Sequence, residues 1–189
     1  FKPKANMFES ISTVKRLNLS EINGLTKICK NMFRSLENLI SLDISICNEL
    51  TEIDNDAFSD LPRLKSLVLS YNRLKLENTD VFRHLTQLEE LSLCNNLLEH
   101  SSIEKSLFLP LKNLEYLNIN KNRISKITSN MFRGLFKLKR LNMSSNVLEY
   151  MELEALSCLP CLYNIILTTS DKTKQDEFKI FFQSKIQFN

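Results

Sequence analysis

The residues best equipped for chemistry are five cysteines, two histidines and a few close carboxylates. Cys158-Leu159-Pro160-Cys161 is a lone C-x-x-C. A zinc site wants four ligands, and a second pair is missing. A redox site wants a strand followed by a helix N-terminus. The intervening Leu-Pro instead repeats Leu61-Pro62, so the motif reads as ordinary framework in which a local disulfide is the alternative. Cys29, Cys47 and Cys94 share no common spacing. An odd number of thiols sits awkwardly with secretion. His84 and His100, and the pairs Glu89-Glu90 and Asp54/Asp56, have no nucleophile or base converging on them and read as solvated surface. No catalytic, cofactor or metal site is expected, and catalysis within these residues is not expected either.

Those residues are spaced by something larger than any motif. Leu17-Asn18-Leu19, Leu42-Asp43-Ile44, Leu67-Val68-Leu69, Leu91-Ser92-Leu93, Leu117-Asn118-Ile119, Leu141-Asn142-Met143 and Ile165-Ile166-Leu167 recur at steps of 25, 25, 24, 26, 24 and 24 residues. An apolar residue stands three before each: Val14, Leu39, Leu64, Leu88, Leu114, Leu138 and Leu162. Five after the first member comes Asn72, Asn96, Asn122 or Asn146, with Cys47 and Ile22 in the first two copies. A Phe column follows: Phe8, Phe33, Phe58, Phe82, Phe108 and Phe132.

Each position has a physical reason. The L-x-L alternation has the period of a strand with one buried face. An Asn amide both donates and accepts, so a stack of them can satisfy turn backbone that would otherwise be buried unpaired. Cys donates only weakly and Ile not at all, which predicts a looser first turn around Asn23-Gly24-Leu25. The Phe column fills the wide side of each coil. One copy cannot bury enough apolar surface to offset the entropy of ordering it, so copies must share a core.

The pattern L-x-x-L-x-L-x-x-N-x-L with a trailing F-x-x-L resembles the leucine-rich repeat family. Its 24-residue, Phe-containing form resembles the repeats of Toll-like receptor ectodomains. The resemblance implies an α/β solenoid: a curved horseshoe with one parallel sheet on its concave face and short helices, 3-10 turns and loops on its convex face. It also implies a non-enzymatic module that recognises protein or other macromolecular ligands in innate immune or cell-surface signalling, located outside the cell. A cytosolic adaptor and a repeat region of a larger enzyme are the alternatives.

Residues 1–189 read as a single repeat domain of about seven copies over 6–170. Asn6-Met7-Phe8-Glu9-Ser10-Ile11 matches Asn31-Met32-Phe33-Arg34-Ser35-Leu36, so the chain opens inside a repeat and reads as a piece of a longer protein. Phe178, Phe181, Phe182 and Ile186 have helical spacing. They predict a helix over about 174–186 that covers the last repeat, with a partner-binding helix or a degenerate eighth repeat as the other readings.

Composition agrees with a recognition role. Lys+Arg number 25 against 22 Asp+Glu, a net charge of +3, which is no nucleic-acid footprint. Two Gly cannot build a phosphate loop, and no apolar run approaches about 18 residues, so neither nucleotide nor membrane contact is expected. The outward strand positions are mostly small and polar. Hot spots favour Tyr and Arg, which singles out Tyr116, flanked by Glu90 and Arg140, with Asn118 beside it and Tyr71 at a strand edge. Two sequons, Asn18-Leu19-Ser20 and Asn142-Met143-Ser144, place glycosylation candidates Asn18 and Asn142 on the same face, where glycans would shield its two ends. Seven strands about 4.8 Å apart give an outward footprint of about 500 Å², below the roughly 800 Å² of a standard interface, so further repeats, loops or a second copy (a possible dimer) would complete it.

Overall fold

The computed structural model describes residues 7–77, 80–152 and 154–168. Strands are short: β1 (Arg16–Asn18), β2 (Lys27–Ile28), β3 (Ser41–Asp43), β4 (Glu52–Ile53), β5 (Ser66–Val68), β6 (Glu90–Ser92), β7 (Tyr116–Asn118), β8 (Lys126–Ile127), β9 (Arg140–Asn142), β10 (Tyr150–Met151) and β11 (Asn164–Ile166). Seven of them form one parallel sheet in the order β1-β3-β5-β6-β7-β9-β11. Its register joins Leu17, Leu42, Leu67, Leu91, Leu117, Leu141 and Ile165 as successive neighbours, which is the alignment the repeat demands.

Behind that sheet the columns close into one core. Phe8, Phe33, Phe58, Phe82, Phe108 and Phe132 are all buried, and the rings of Phe8, Phe33 and Phe58 lie nearly parallel at 6.2 and 6.0 Å. Leu42 and Leu67 are fully buried, whereas Leu17, with a strand neighbour on one side only, is half-buried.

The Asn column bonds as its chemistry requires. Asn122 donates Nδ2 to the carbonyls of Leu93 (3.0 Å) and Ile119 (3.1 Å), and its Oδ1 accepts the Leu98 amide at 3.0 Å. Asn72, Asn96 and Asn146 repeat this with Ile44, Leu69 and Ile119 across the repeat boundary. Cys47 occupies the same station, its thiol 3.5 Å from the Leu19 carbonyl. The first turn is therefore covered from the second repeat by a weak donor in place of an amide.

One residue before that station the backbone turns left-handed in each of the six copies whose turn is described: Glu21, Ile46, Tyr71, Asn95, Lys121 and Ser145 have φ between 51° and 62°. None is Gly. The amides of Glu21, Ile46, Tyr71, Asn95 and Lys121 donate to the carbonyls of Ser45, Ser70, Cys94, Asn120 and Ser144 in the next repeat at 2.8–3.0 Å, and these bonds hold the turn open.

The convex side carries the expected short elements and adds one that the sequence does not announce. Among the described residues it carries one 3-10 turn (Glu9–Ile11) and one helix, α1 (His100–Glu104), together with a second, broken parallel ladder. That ladder pairs β2 with β4 and β8 with β10, and between them leaves only an isolated Glu99–Arg123 bridge. Two-residue strands have no periodicity of their own to announce them. The helix expected over 174–186 lies outside the described residues.

Candidate binding face

The sheet register brings three of the five expected contact residues into line. Tyr116 pairs with Glu90 on one side and Arg140 on the other. The Arg140 guanidinium carbon stands 4.8 Å from the centre of the Tyr116 ring, a cation–π contact that fixes both side chains on the outer surface. Glu90 leans the other way, its Oε2 3.4 Å from Ser66 Oγ. Asn118 lies between Ser92 and Asn142 on the same face and accepts the Asn120 amide at 3.2 Å. Tyr71 stands apart. It sits in the left-handed turn after β5, two strands from Tyr116, and is 45% exposed.

Charged groups line the approach to this face. Lys139 and Glu115, just before β9 and β7, pair at 2.8 Å. The ammonium holds the Glu115 carboxyl below its usual range, and the carboxylate in turn raises Lys139. Cys94 occupies an outward register position yet is buried, and the Tyr71 side chain hydrogen-bonds it. Burial raises the Cys94, Cys47 and Cys158 thiols, so none is poised as a thiolate nucleophile. All five cysteines are free, and Cys161 is exposed.

The residues read as solvated surface lie there and also form inter-repeat ties. Asp56 takes Lys30 at 3.1 Å from one repeat, and Arg83 and the His84 ring (3.0 Å) from the other. Asp54 pairs with Lys27 at 2.8 Å, and Glu89 with Lys65 at 2.7 Å. His100 Nδ1 lies 3.2 Å from Ser125 Oγ. Spacing near 25 residues puts these partners side by side, a signal present in the repeat length itself. Among the described residues no group of three or more His, Cys, Asp or Glu is placed to hold a metal ion.

Leucine-rich-repeat family models match residues 12–74, 46–98, 62–123, 99–148 and 112–170, which together run across most of the chain. The chain belongs to the leucine-rich repeat family. Among solved leucine-rich repeat structures, the TLR13–ssRNA13 complex is 31% identical with a TM-score of 0.79 over 88% of this chain and 23% of that one. The mouse RP105/MD-1 complex is 28% identical with a TM-score of 0.69, over 76% of this chain and 24% of that one. Human 5T4 (Wnt-activated inhibitory factor 1, trophoblast glycoprotein), at 22% identity and a TM-score of 0.69, covers 91% of this chain and 66% of that one and shares the fold. The chain thus spans about a quarter of the length of the first two. Curated protein sequences give no match. This leucine-rich repeat segment is similar to receptor ectodomains, and no helix among its described residues is long and apolar enough to cross a membrane.

Proposed function

We propose that this chain is a non-enzymatic recognition segment of a Toll-like-receptor-like ectodomain, acting outside the cell and binding a protein partner through the Tyr116–Arg140 patch. The observation that carries the reading is the 4.8 Å ring–guanidinium contact on an otherwise small, polar sheet. Two side chains held by each other lose little freedom when a partner arrives, and aromatic and Arg anchors dominate binding energy. The near neutrality of the chain favours protein over nucleic acid. Asn118 and Glu90 supply polar contacts at the patch's margins, and Tyr71 a separate contact two repeats away. The face is smaller than a standard interface, so a dimer or further repeats complete it.

The test is a panel of purified extracellular proteins assayed against wild type and the Tyr116→Ala/Arg140→Ala double variant, with circular dichroism to check folding. A loss of about tenfold or more is expected for a concave-face binder. Unchanged affinity for every binder would remove the patch. The five free thiols favour a second reading, a cytosolic adaptor. Thiol titration of protein from its natural source separates the two, because five reactive thiols would count against secretion.

A further inference from the structure

Asn142 differs from the asparagines of the buried column in what it bonds. Its Oδ1 accepts both the Ser144 amide (3.1 Å) and the Ser144 hydroxyl (2.8 Å). Its Nδ2 makes no hydrogen bond among the described residues, and the residue stands half-buried at an outward position of β9. Asn122 and Asn146 do the opposite: they spend Nδ2 on carbonyls of the core, and neither has Ser or Thr two residues on. An Asn-x-Ser whose amide nitrogen is unbonded on an outward face has the chemistry of an N-glycan acceptor. Asn18 on β1 meets the same description, exposed and with its Oδ1 accepting the Ser20 amide at 2.8 Å.

The two sites differ in what stands beside them. Arg140 precedes Asn142 by two residues on one strand, so both side chains leave the same face about 7 Å apart. Tyr116 is in register with Arg140 and Asn118 with Asn142, which sets the Tyr116 ring diagonally across from the Asn142 amide. On its other side Asn142 is in register with Ile166, a large apolar side chain 45% exposed on this mostly polar sheet. The first sugar of a glycan has a weakly polar ring face and an acetyl methyl to lay against Ile166, and the branched chain beyond it is far longer than the separation from Arg140. Asn18 is four strand steps from Tyr116, about 19 Å.

We propose that Asn142 carries an N-linked glycan that covers the Tyr116–Arg140 patch, so that occupancy of this one sequon decides whether a chain presents its concave binding site. In the transfer, Nδ2 bonds to the anomeric carbon of a polyprenyl-pyrophosphate-linked oligosaccharide and gives up one proton. The carbon–oxygen bond to the pyrophosphate breaks, and the lipid pyrophosphate leaves with that electron pair. A glycan on Asn18 leaves the patch open. This control rests on the reading of the chain as an ectodomain segment that binds through the patch, and gives that site a regulator.

The whole protein, produced in cultured animal cells, is compared with its Ser144→Ala, Asn142→Gln and Ser20→Ala variants. Glycopeptide mass spectrometry reads occupancy at Asn142 and Asn18. The binding probe is a single-domain antibody selected on the Ser144→Ala protein for binding that Tyr116→Ala/Arg140→Ala abolishes. It needs no natural partner, which keeps failure here distinct from failure of the proposed function. Wild type should carry a glycan on Asn142 and bind the antibody about tenfold or more weakly than Ser144→Ala. Asn142→Gln should recover binding as Ser144→Ala does, which separates the glycan from the lost hydroxyl, while Ser20→Ala should bind as weakly as wild type. A bare Asn142 in protein glycosylated at Asn18, equal binding by glycosylated wild type and Ser144→Ala, or equal recovery in Ser20→Ala would overturn the assignment. Protein bare at both sites would overturn it together with the ectodomain reading.

Discussion

The Cys47 thiol lies 3.5 Å from the Leu19 carbonyl, at the station where Asn72 reaches Ile44 at 2.8 Å. The thiol is a poor donor, and burial raises its pKa, which keeps it protonated as that weak donor. Four neighbouring repeats accommodate Asn in this column. Cys47→Asn should therefore stabilise the fold by about 0.5–1.5 kcal/mol, read as a higher urea midpoint at unchanged slope. A lower midpoint would mean that the column is not interchangeable.

The converse change removes a full amide. Asn122→Ala leaves the Leu98 amide without its acceptor in a dry interior and removes one of the two Asn donors from each of the Leu93 and Ile119 carbonyls, which keep Asn96 and Asn146. A loss of about 1–3 kcal/mol in denaturant unfolding is expected. A neutral result would remove the ladder as a source of stability.

Ile46 is a β-branched residue at φ 60°, a region that sterically suits Gly or Asn. Its side chain is 41% exposed, so little packing is lost on replacement. Ile46→Asn should raise stability by about 1 kcal/mol, visible as a higher thermal midpoint. Gly134 gives the opposite sign: at φ +93° an added Cβ would meet the Leu109 carbonyl at 2.9 Å, so Gly134→Ala should lower the midpoint.

Asp56 predicts an acid limb. His84, Lys30 and Arg83 hold its carboxyl well below the usual range. A depressed folded-state pKa contributes stability that is complete above the unfolded value near 3.9 and fades as pH falls below it. The penalty of Asp56→Asn should therefore be present at pH 7, shrink progressively below about pH 4, and shrink in about 1 M salt. A penalty independent of pH would show that hydrogen bonding, not charge, carries the tie.

Iodoacetamide labelling checks the thiols. Cys161 should react in the folded chain, while Cys47 and Cys94 react only after denaturant is added. A pair at Cys158 and Cys161 that resists labelling until reduced would establish the local disulfide.

Much of the fold was readable because the strand period and the repeat period coincide on the same residues. Leu42, Leu67 and Leu91 align because no other register buries all three. The Asn column was legible because an amide is the one side chain that bonds both ways in a dry turn. The left-handed row was not, since Glu21, Ile46, Tyr71 and Lys121 share no side-chain chemistry; the constraint lies in the backbone alone. The tie between Asp56 and His84 was not read because each was considered within its own copy, whereas their partners stand one repeat away. At the candidate patch, Tyr116 and Arg140 met as their register implies, but Glu90 turned toward Ser66 for a bond that spacing cannot rank.

The left-handed row has a further implication. Because main-chain bonds set the geometry at Ile46, Asn95 and Lys121, the identity of the side chain there is uncoupled from the interior. Ile46, Asn95 and Lys121 can be exchanged for other residues at the cost of local strain and little else, whereas Tyr71 is also bonded to Cys94. That makes this rim the part of the molecule where new specificity can arise by single substitutions without rebuilding the scaffold beneath.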